Sequence, residues 1–257
     1  MNIVKYCLLA LLVLPSLAAT AQETPAVEPF NADRPGVVNG TNILPKGRLQ
    51  WETGAMYEHR KEGESTINTW TVNTTVLRYG LNSFAELQLC ADWATVKEDD
   101  QRLSGLANVA VGTKIRMCDQ WRFLPASVLV AYLYVPDNKG DKLLPKNWGA
   151  SLGIAFEHEV TPWFSVAYEG SMLWSDYEKP IPFWGISLGF HPTDRWTIMV
   201  DQYNYKYPDE CENWVELSTI WQFARRMSVD IFTDIYLRRP GNYFNVGVGF
   251  CWQLTKR

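Results

Sequence analysis

The chain has few residues suited to catalysis or to metal binding. It has three histidines and five cysteines in 257 residues, and no two cysteines stand in the CxxC spacing of a zinc or redox site. His59, His158 and His191 are well separated, and none has the neighbouring Ser and acid that nucleophilic catalysis needs. The acidic stretch "PDNKGDK" lacks the alternating ligands and terminal Glu of a calcium loop. No metal, cofactor or enzymatic activity is therefore expected. A basic excess is also missing. The formal net charge is −4, so nothing points to nucleic acid.

Long apolar runs are missing too, apart from one at the start. Lys5 precedes "CLLALLVLPSL", which gives way to small residues ending in "ATAQE". The run falls short of the roughly 20 residues a bilayer-spanning helix requires, and its layout is that of a secretory signal peptide over 1–21, cleaved before Gln22. Cys7 lies at the head of the run, so no lipid anchor is expected. The remaining chain has 23 basic and 28 acidic residues, a formal −5, and its length suits one domain. Cys90, Cys118, Cys211 and Cys251 read as isolated strand cysteines, because disulfide frameworks belong mainly to small domains with little core.

Aromatic residues, in contrast, are abundant. There are 12 Trp, 12 Tyr and 11 Phe, yet mean hydropathy is only −0.18. Such a pairing suits an outer-membrane barrel, in which alternate residues face lipid and a polar lumen, and aromatic residues gather at the interfaces. Alternation is explicit in "GRLQWETGAMYEH": Leu49, Trp51, Thr53, Ala55 and Tyr57 share one face, with Arg48, Gln50, Glu52 and Glu58 on the other. The final segment repeats it, with Phe244, Val246, Val248, Phe250, Trp252 and Leu254 opposite Tyr243, Asn245, Gly247, Gly249, Cys251 and Gln253. Ten further segments are expected at about 69–80, 83–95, 105–117, 122–135, 148–159, 163–174, 182–191, 195–205, 213–224 and 227–237. The reading is an all-β fold: an antiparallel transmembrane β-barrel of about twelve strands over 47–257.

The connections alternate as well. "YGLNS", "CDQWR", "EVTPW", "HPTDR" and "FARRM" are short, whereas "RKEGESTIN", "VKEDDQRLS", "PDNKGDKLLPKN", "SDYEKP", "YKYPDECE" and "RRPGN" are generally longer and charged. Short turns face the periplasm in such barrels. Both mature chain ends are then expected there, in the outer membrane of a Gram-negative bacterium.

"ADRPG", "LPKGRLQWETG", "LRYGLNSFAELQL" and "GLANVAVGTKIR" together resemble outer-membrane β-barrel transporters of the phenol-degradation MetA-pathway family. The resemblance implies a barrel and a transporter or channel for small, hydrophobic or aromatic molecules. It brings no catalytic residues. The segment 22–46 reads as a periplasmic lead-in or a plug, since Pro35 holds Arg34 extended and Pro45 with Gly47 punctuates the approach to the first strand. Asp33, Arg34 and Pro35 are its candidate gate residues.

With each apolar face assigned to lipid, the lumen receives Arg48, Glu52, Arg78, Glu86, Asp92, Lys114, Arg116, Glu157, Glu169, Asp201, Glu216, Asp230 and Asp234. That set is net acidic, and acidic rings favour cations. The alternative is a closed, salt-bridged interior in a structural or surface-interaction barrel. Face assignment stays open near 69–76 and 213–222, where a one-residue slip exchanges the two faces. Expected partners are outer-membrane lipids, an unidentified small solute and the barrel insertion machinery. The ending Thr255, Lys256 and Arg257 departs from the aromatic terminus that such machinery commonly reads.

Overall fold

The computed structural model describes residues 32–136, 143–176, 179–239 and 241–255; the leader at 1–21 lies outside them. Twelve strands follow in order: β1 (Leu49–Glu62), β2 (Ser65–Gly80), β3 (Ala85–Glu98), β4 (Gln101–Cys118), β5 (Ala126–Tyr134), β6 (Gly149–Thr161), β7 (Phe164–Trp174), β8 (Ile181–Thr193), β9 (Trp196–Lys206), β10 (Cys211–Ala224), β11 (Met227–Tyr236) and β12 (Tyr243–Gln253). Each pairs antiparallel with its neighbours. β1 also pairs with β12, from Gln50↔Gln253 to Arg60↔Tyr243, so the sheet closes. Closure gives every strand a hydrogen-bonded neighbour on both sides, the condition for a sheet to stand in hydrocarbon.

Burial is inverted relative to a soluble protein. Arg78, Lys114, Glu52, Glu86 and Glu216 are buried, while Leu89, Leu106, Val111, Ile231 and Val248 are exposed on the outside. A soluble sandwich would bury the second set. Exposed aromatic residues form two bands: Phe84, Trp121, Phe123, Trp163, Trp196 and Trp221 toward the short turns, and Trp70, Trp93, Trp148, Trp174 and Trp184 toward the other mouth. Two such girdles are the mark of a transmembrane barrel.

The uncertain faces are now assigned. Trp70 and Val72 point outward in β2, but farther along the outward residues are Leu77 and Tyr79. Between them the register shifts against both neighbouring strands, at Asn73, whose φ is 52°. An extra residue in a bulge inverts the parity beyond it, and Asn tolerates the left-handed backbone better than most side chains. Asn108, at φ 49°, does the same in β4 between outward Leu106 and Val111. In β10, Trp214, Glu216 and Ser218 are buried while Leu217 and Trp221 face out.

One expectation about connections is corrected. "RKEGESTIN" and "VKEDDQRLS" are not loops but mostly strand, for β1 runs to Glu62, β2 starts at Ser65, β3 ends at Glu98 and β4 starts at Gln101. Gly63 (φ 62°) and Asp99 (φ 49°) provide the left-handed backbone of the tight turns. Polar residues continue the ladder there, because strand pairing beyond the lipid needs no apolar face.

Candidate functional site in the barrel interior

Adjacent inward positions on β1 to β4 build a charged knot near the mouth at which the chain enters and leaves the barrel. Arg78 donates from Nε to Glu86 Oε1 at 2.9 Å, from Nη2 to Glu86 Oε2 at 2.9 Å and from Nη1 to Glu52 Oε1 at 3.0 Å. Its Nη1 is also 3.3 Å from Asp33 Oδ1. Lys114 Nζ lies 2.7 Å from the same Asp33 oxygen and 3.0 Å from the Gly40 carbonyl. Gln88 donates to Asp33 Oδ2 at 3.1 Å and to Glu86 Oε1 at 2.6 Å, and accepts from the Tyr132 hydroxyl. Two cations thus hold three carboxylates out of water, one of them from the segment before β1.

That segment extends the contacts across the interior. The Asp33 amide donates to Glu52 Oε1 (3.1 Å), Val37 to Asp201 Oδ2 (3.3 Å), Asn39 to Glu169 Oε2 (2.8 Å), Thr41 to Glu157 Oε2 (3.0 Å) and Leu44 to Glu86 Oε2 (2.7 Å). Side chains double two of these bonds: Asn39 Nδ2 reaches Glu169 at 2.9 Å and Thr41 Oγ1 reaches Glu157 at 2.8 Å. A carboxylate accepting backbone N–H groups makes a strong, charge-assisted bond. Five inward acids on β1, β3, β6, β7 and β9 therefore supply the partners that this non-sheet backbone needs.

Arg34 shows how closely the walls accommodate the segment. It donates to the Thr74 hydroxyl beside the Asn73 bulge, and its Nε is 3.8 Å from Asp230 Oδ2. The guanidinium lies over Gly54 and Gly249, which face each other across the β1–β12 pairing. A Cβ on Gly54 would stand 2.5 Å from Arg34 Nη2, and one on Gly249 would stand 2.7 Å from Arg34 Nε. Glycine at both positions leaves the room the side chain fills.

The other expected lumen residues fall into distinct places. Arg48 sits before β1, with Nη1 3.4 Å from the Thr255 carbonyl. Arg116 pairs with Asp119 at 3.1 Å near a short turn and joins no part of the knot. Asp92 accepts from Asn108 Nδ2 at 3.0 Å, beside the second bulge. Asp201, Glu216 and Asp234 are consecutive cross-strand neighbours on β9, β10 and β11, all buried. Among the described residues no Lys or Arg lies within ion-pair distance of these three. The interior charge is thus divided, with cations concentrated on the β1 to β4 side and acids facing them.

Sequence reading missed the aromatic part of the interior. Phe183, Tyr203, Trp214 and Tyr236 form a buried cluster against which Val37, Tyr205 and Tyr243 pack. Trp214 meets Tyr243 at 4.4 Å between ring centroids and stacks parallel to Tyr203 at 6.1 Å, and the Tyr203 hydroxyl donates to Asp234 at 2.9 Å. The signal was available. Tyr203 and Tyr205 share parity with Asp201, Trp214 with Glu216, and Tyr236 with Asp234, but large rings on a mixed face are readily credited to lipid.

His191 lies between two hydroxyls, Ser165 on Nε2 and Thr197 on Nδ1, each at 3.1 Å. Among the described residues, no carboxylate completes that set. Cys90, Cys118, Cys211 and Cys251 are free thiols, as their reading as isolated strand cysteines anticipated.

With this geometry in view, comparison with known proteins is informative. The family described as "Putative MetA-pathway of phenol degradation" matches residues 32–211. The chain belongs to that family. The matched span starts just ahead of Asp33, so the inward segment is part of the family's shared pattern. Among solved structures, an outer-membrane channel from Pseudomonas putida F1 is similar at a TM-score of 0.66 and 11% identity, covering 86% of this chain and 99% of that one. The translocator domain of the autotransporter NalP from Neisseria meningitidis follows at 0.51 and 11%, covering 82% and 90%. The KdgM porin in complex with oligogalacturonate gives 0.51 and 8%, covering 79% and 99%. These likenesses establish the fold as that of an outer-membrane barrel of Gram-negative bacteria. No curated protein sequence matches the chain.

Proposed function

We propose that the barrel is an outer-membrane channel for small molecules, aromatic or otherwise hydrophobic, and that the segment ahead of β1 gates it. Both mature chain ends lie in the periplasm in this reading, with β5–β6 and β7–β8 connections at the cell surface. The barrel depends on insertion machinery to enter the bilayer, and it performs no catalysis. One observation carries the gate: Asp33, Val37, Asn39, Thr41 and Leu44 hydrogen-bond to acids on five different strands. A segment tied to opposite walls narrows the path between them. Its ties are separate hydrogen bonds to wall side chains rather than rungs of the sheet ladder, so it can leave without unzipping the barrel.

The buried Arg78 and Lys114 knot favours a second reading, a closed structural barrel. Deleting Glu23 to Leu44 separates the two. Under the gated reading, the refolded deletion variant conducts in planar bilayers at a clearly higher level than the parent. Equal conductance in two demonstrably folded proteins removes the gate, and silence from both favours the structural barrel.

A further inference from the structure

A cavity of about 160 Å³ lies between Val37 and Asn39 on one side and the inner face of β5 to β9 on the other. A cavity of about 150 Å³ suffices for one benzene-sized ring. Its apolar and aromatic wall comes from Val130, Tyr132, Tyr134, Leu173, Phe183 and Tyr205, and Ser151, Ser171 and Glu169 supply the polar side. We propose that this cavity binds a single-ring aromatic ammonium ion, with the ring among the tyrosines and Phe183 and the ammonium on Glu169. The assignment rests on the channel reading and names its solute class.

Charge decides between ring classes of equal size. Among the described residues, Glu169 is the one charged residue lining the cavity, and its side chain is buried. Its Oε2 accepts both Asn39 bonds, which come from neutral groups. Among the described residues, no Lys or Arg lies within ion-pair distance of Glu169. Ser171 adds a further neutral hydrogen bond and Lys114 acts on it only from beyond ion-pair distance, and a buried carboxylate without a paired cation is unfavourable. An ammonium relieves that, and surrounding aromatic faces attract a cation further. A phenol supplies only a neutral donor, and a benzoate brings a second negative charge. Gly153 keeps the wall open at this point, since a Cβ there would stand 3.2 Å from Glu169 Oε1 and collide with the Ser171 side chain.

Isothermal titration calorimetry on the full mature barrel in micelles tests this with benzylammonium, phenol and benzoate, three probes of nearly one size. Expected is one-to-one binding of benzylammonium, weaker binding of phenol and none of benzoate. Glu169→Gln keeps the acceptor for Asn39 and should weaken benzylammonium at least about ten-fold, and Ser151→Phe, which fills the cavity, should abolish it. Heat-dependent gel mobility reports that each variant is folded. No benzylammonium binding by the folded parent overturns the site, as does equal affinity in Glu169→Gln or for phenol or benzoate. Planar-bilayer conductance is read in parallel. Conductance without benzylammonium binding overturns the site and leaves the channel; binding with silence from both the parent and the Glu23 to Leu44 deletion variant supports the site and overturns the channel.

Discussion

Arg78 lies beneath three carboxylates, those of Asp33, Glu52 and Glu86, and is itself buried. Removing one partner of a buried charge group leaves the others without compensation, at a cost of about 3–5 kcal/mol. Arg78→Ala should therefore lower barrel stability by about that amount, read as the urea midpoint in lipid vesicles. Gly249 offers a gentler test of the same region. The atoms nearest a Cβ there belong to the side chains of Asp230 and Arg34, not to backbone, so Gly249→Ala should displace Arg34 at about 1–3 kcal/mol, the usual range for overpacking. Its expected readout is faster proteolysis of the segment ahead of β1 with the barrel itself unchanged. Cleavage as slow as in the parent would mean that Arg34 does not anchor the segment.

At the scale of elements, the two Asn bulges and the connections matter most. Asn73 and Asn108 each invert the parity of their strand, and the first stands next to Thr74, the partner of Arg34. The bulges thereby let the long β2 and β4 keep an apolar face to lipid while their ladders continue beyond it. On the other side, Asp176 ties the β7–β8 connection to the β5–β6 connection through the Lys146 amide at 2.7 Å and the Asn147 amide at 3.1 Å. The Lys146 N–H foremost, helped by Asn147, holds the Asp176 carboxyl below its usual 3.8. A depressed value contributes its stabilisation above the ordinary value and loses it as pH falls through the depressed one. The protection of the Lys146 and Asn147 amides against hydrogen exchange, relative to free peptide at the same pH, should fall below about pH 4; Asp176→Asn should show the lower protection already at neutral pH and remove most of the acid response.

Over the whole molecule, the division of charge sets the expected ion preference. Arg78, Lys114 and Arg34 are engaged on or against the β1 to β4 side, whereas Asp201, Glu216 and Asp234 form a row without basic partners among the described residues. Once the segment ahead of β1 is deleted, the pore should prefer cations. Changing all three acids to Asn or Gln in that background should move the reversal potential in a salt gradient toward zero or past it. A potential unmoved by the triple change would place the selectivity elsewhere. The resemblance noted in the sequence and the family match agree on what kind of protein this is, and the inside-out burial explains why period-two alternation with abundant Trp and Tyr was so readable.

The sequence by itself determined the strand count, the closed antiparallel architecture and most of the charged interior, because one alternating period is enforced by lipid on one side and water or charge on the other. It also marked Asp33, Arg34 and Pro35 as gate or plug candidates at the barrel mouth, without naming the residues they meet. Only tertiary structure decided that Asp33 joins Arg78 and Lys114, since those residues are 45 and 81 positions apart and no local period relates a non-sheet segment to a wall. It likewise decided where β2 and β4 change face, because a single Asn at positive φ is invisible to a pattern read at fixed period. Finally, closure brought Tyr134, Phe183 and Tyr205 to one cavity with Glu169, a grouping that arises from curvature around the barrel rather than from spacing along the chain.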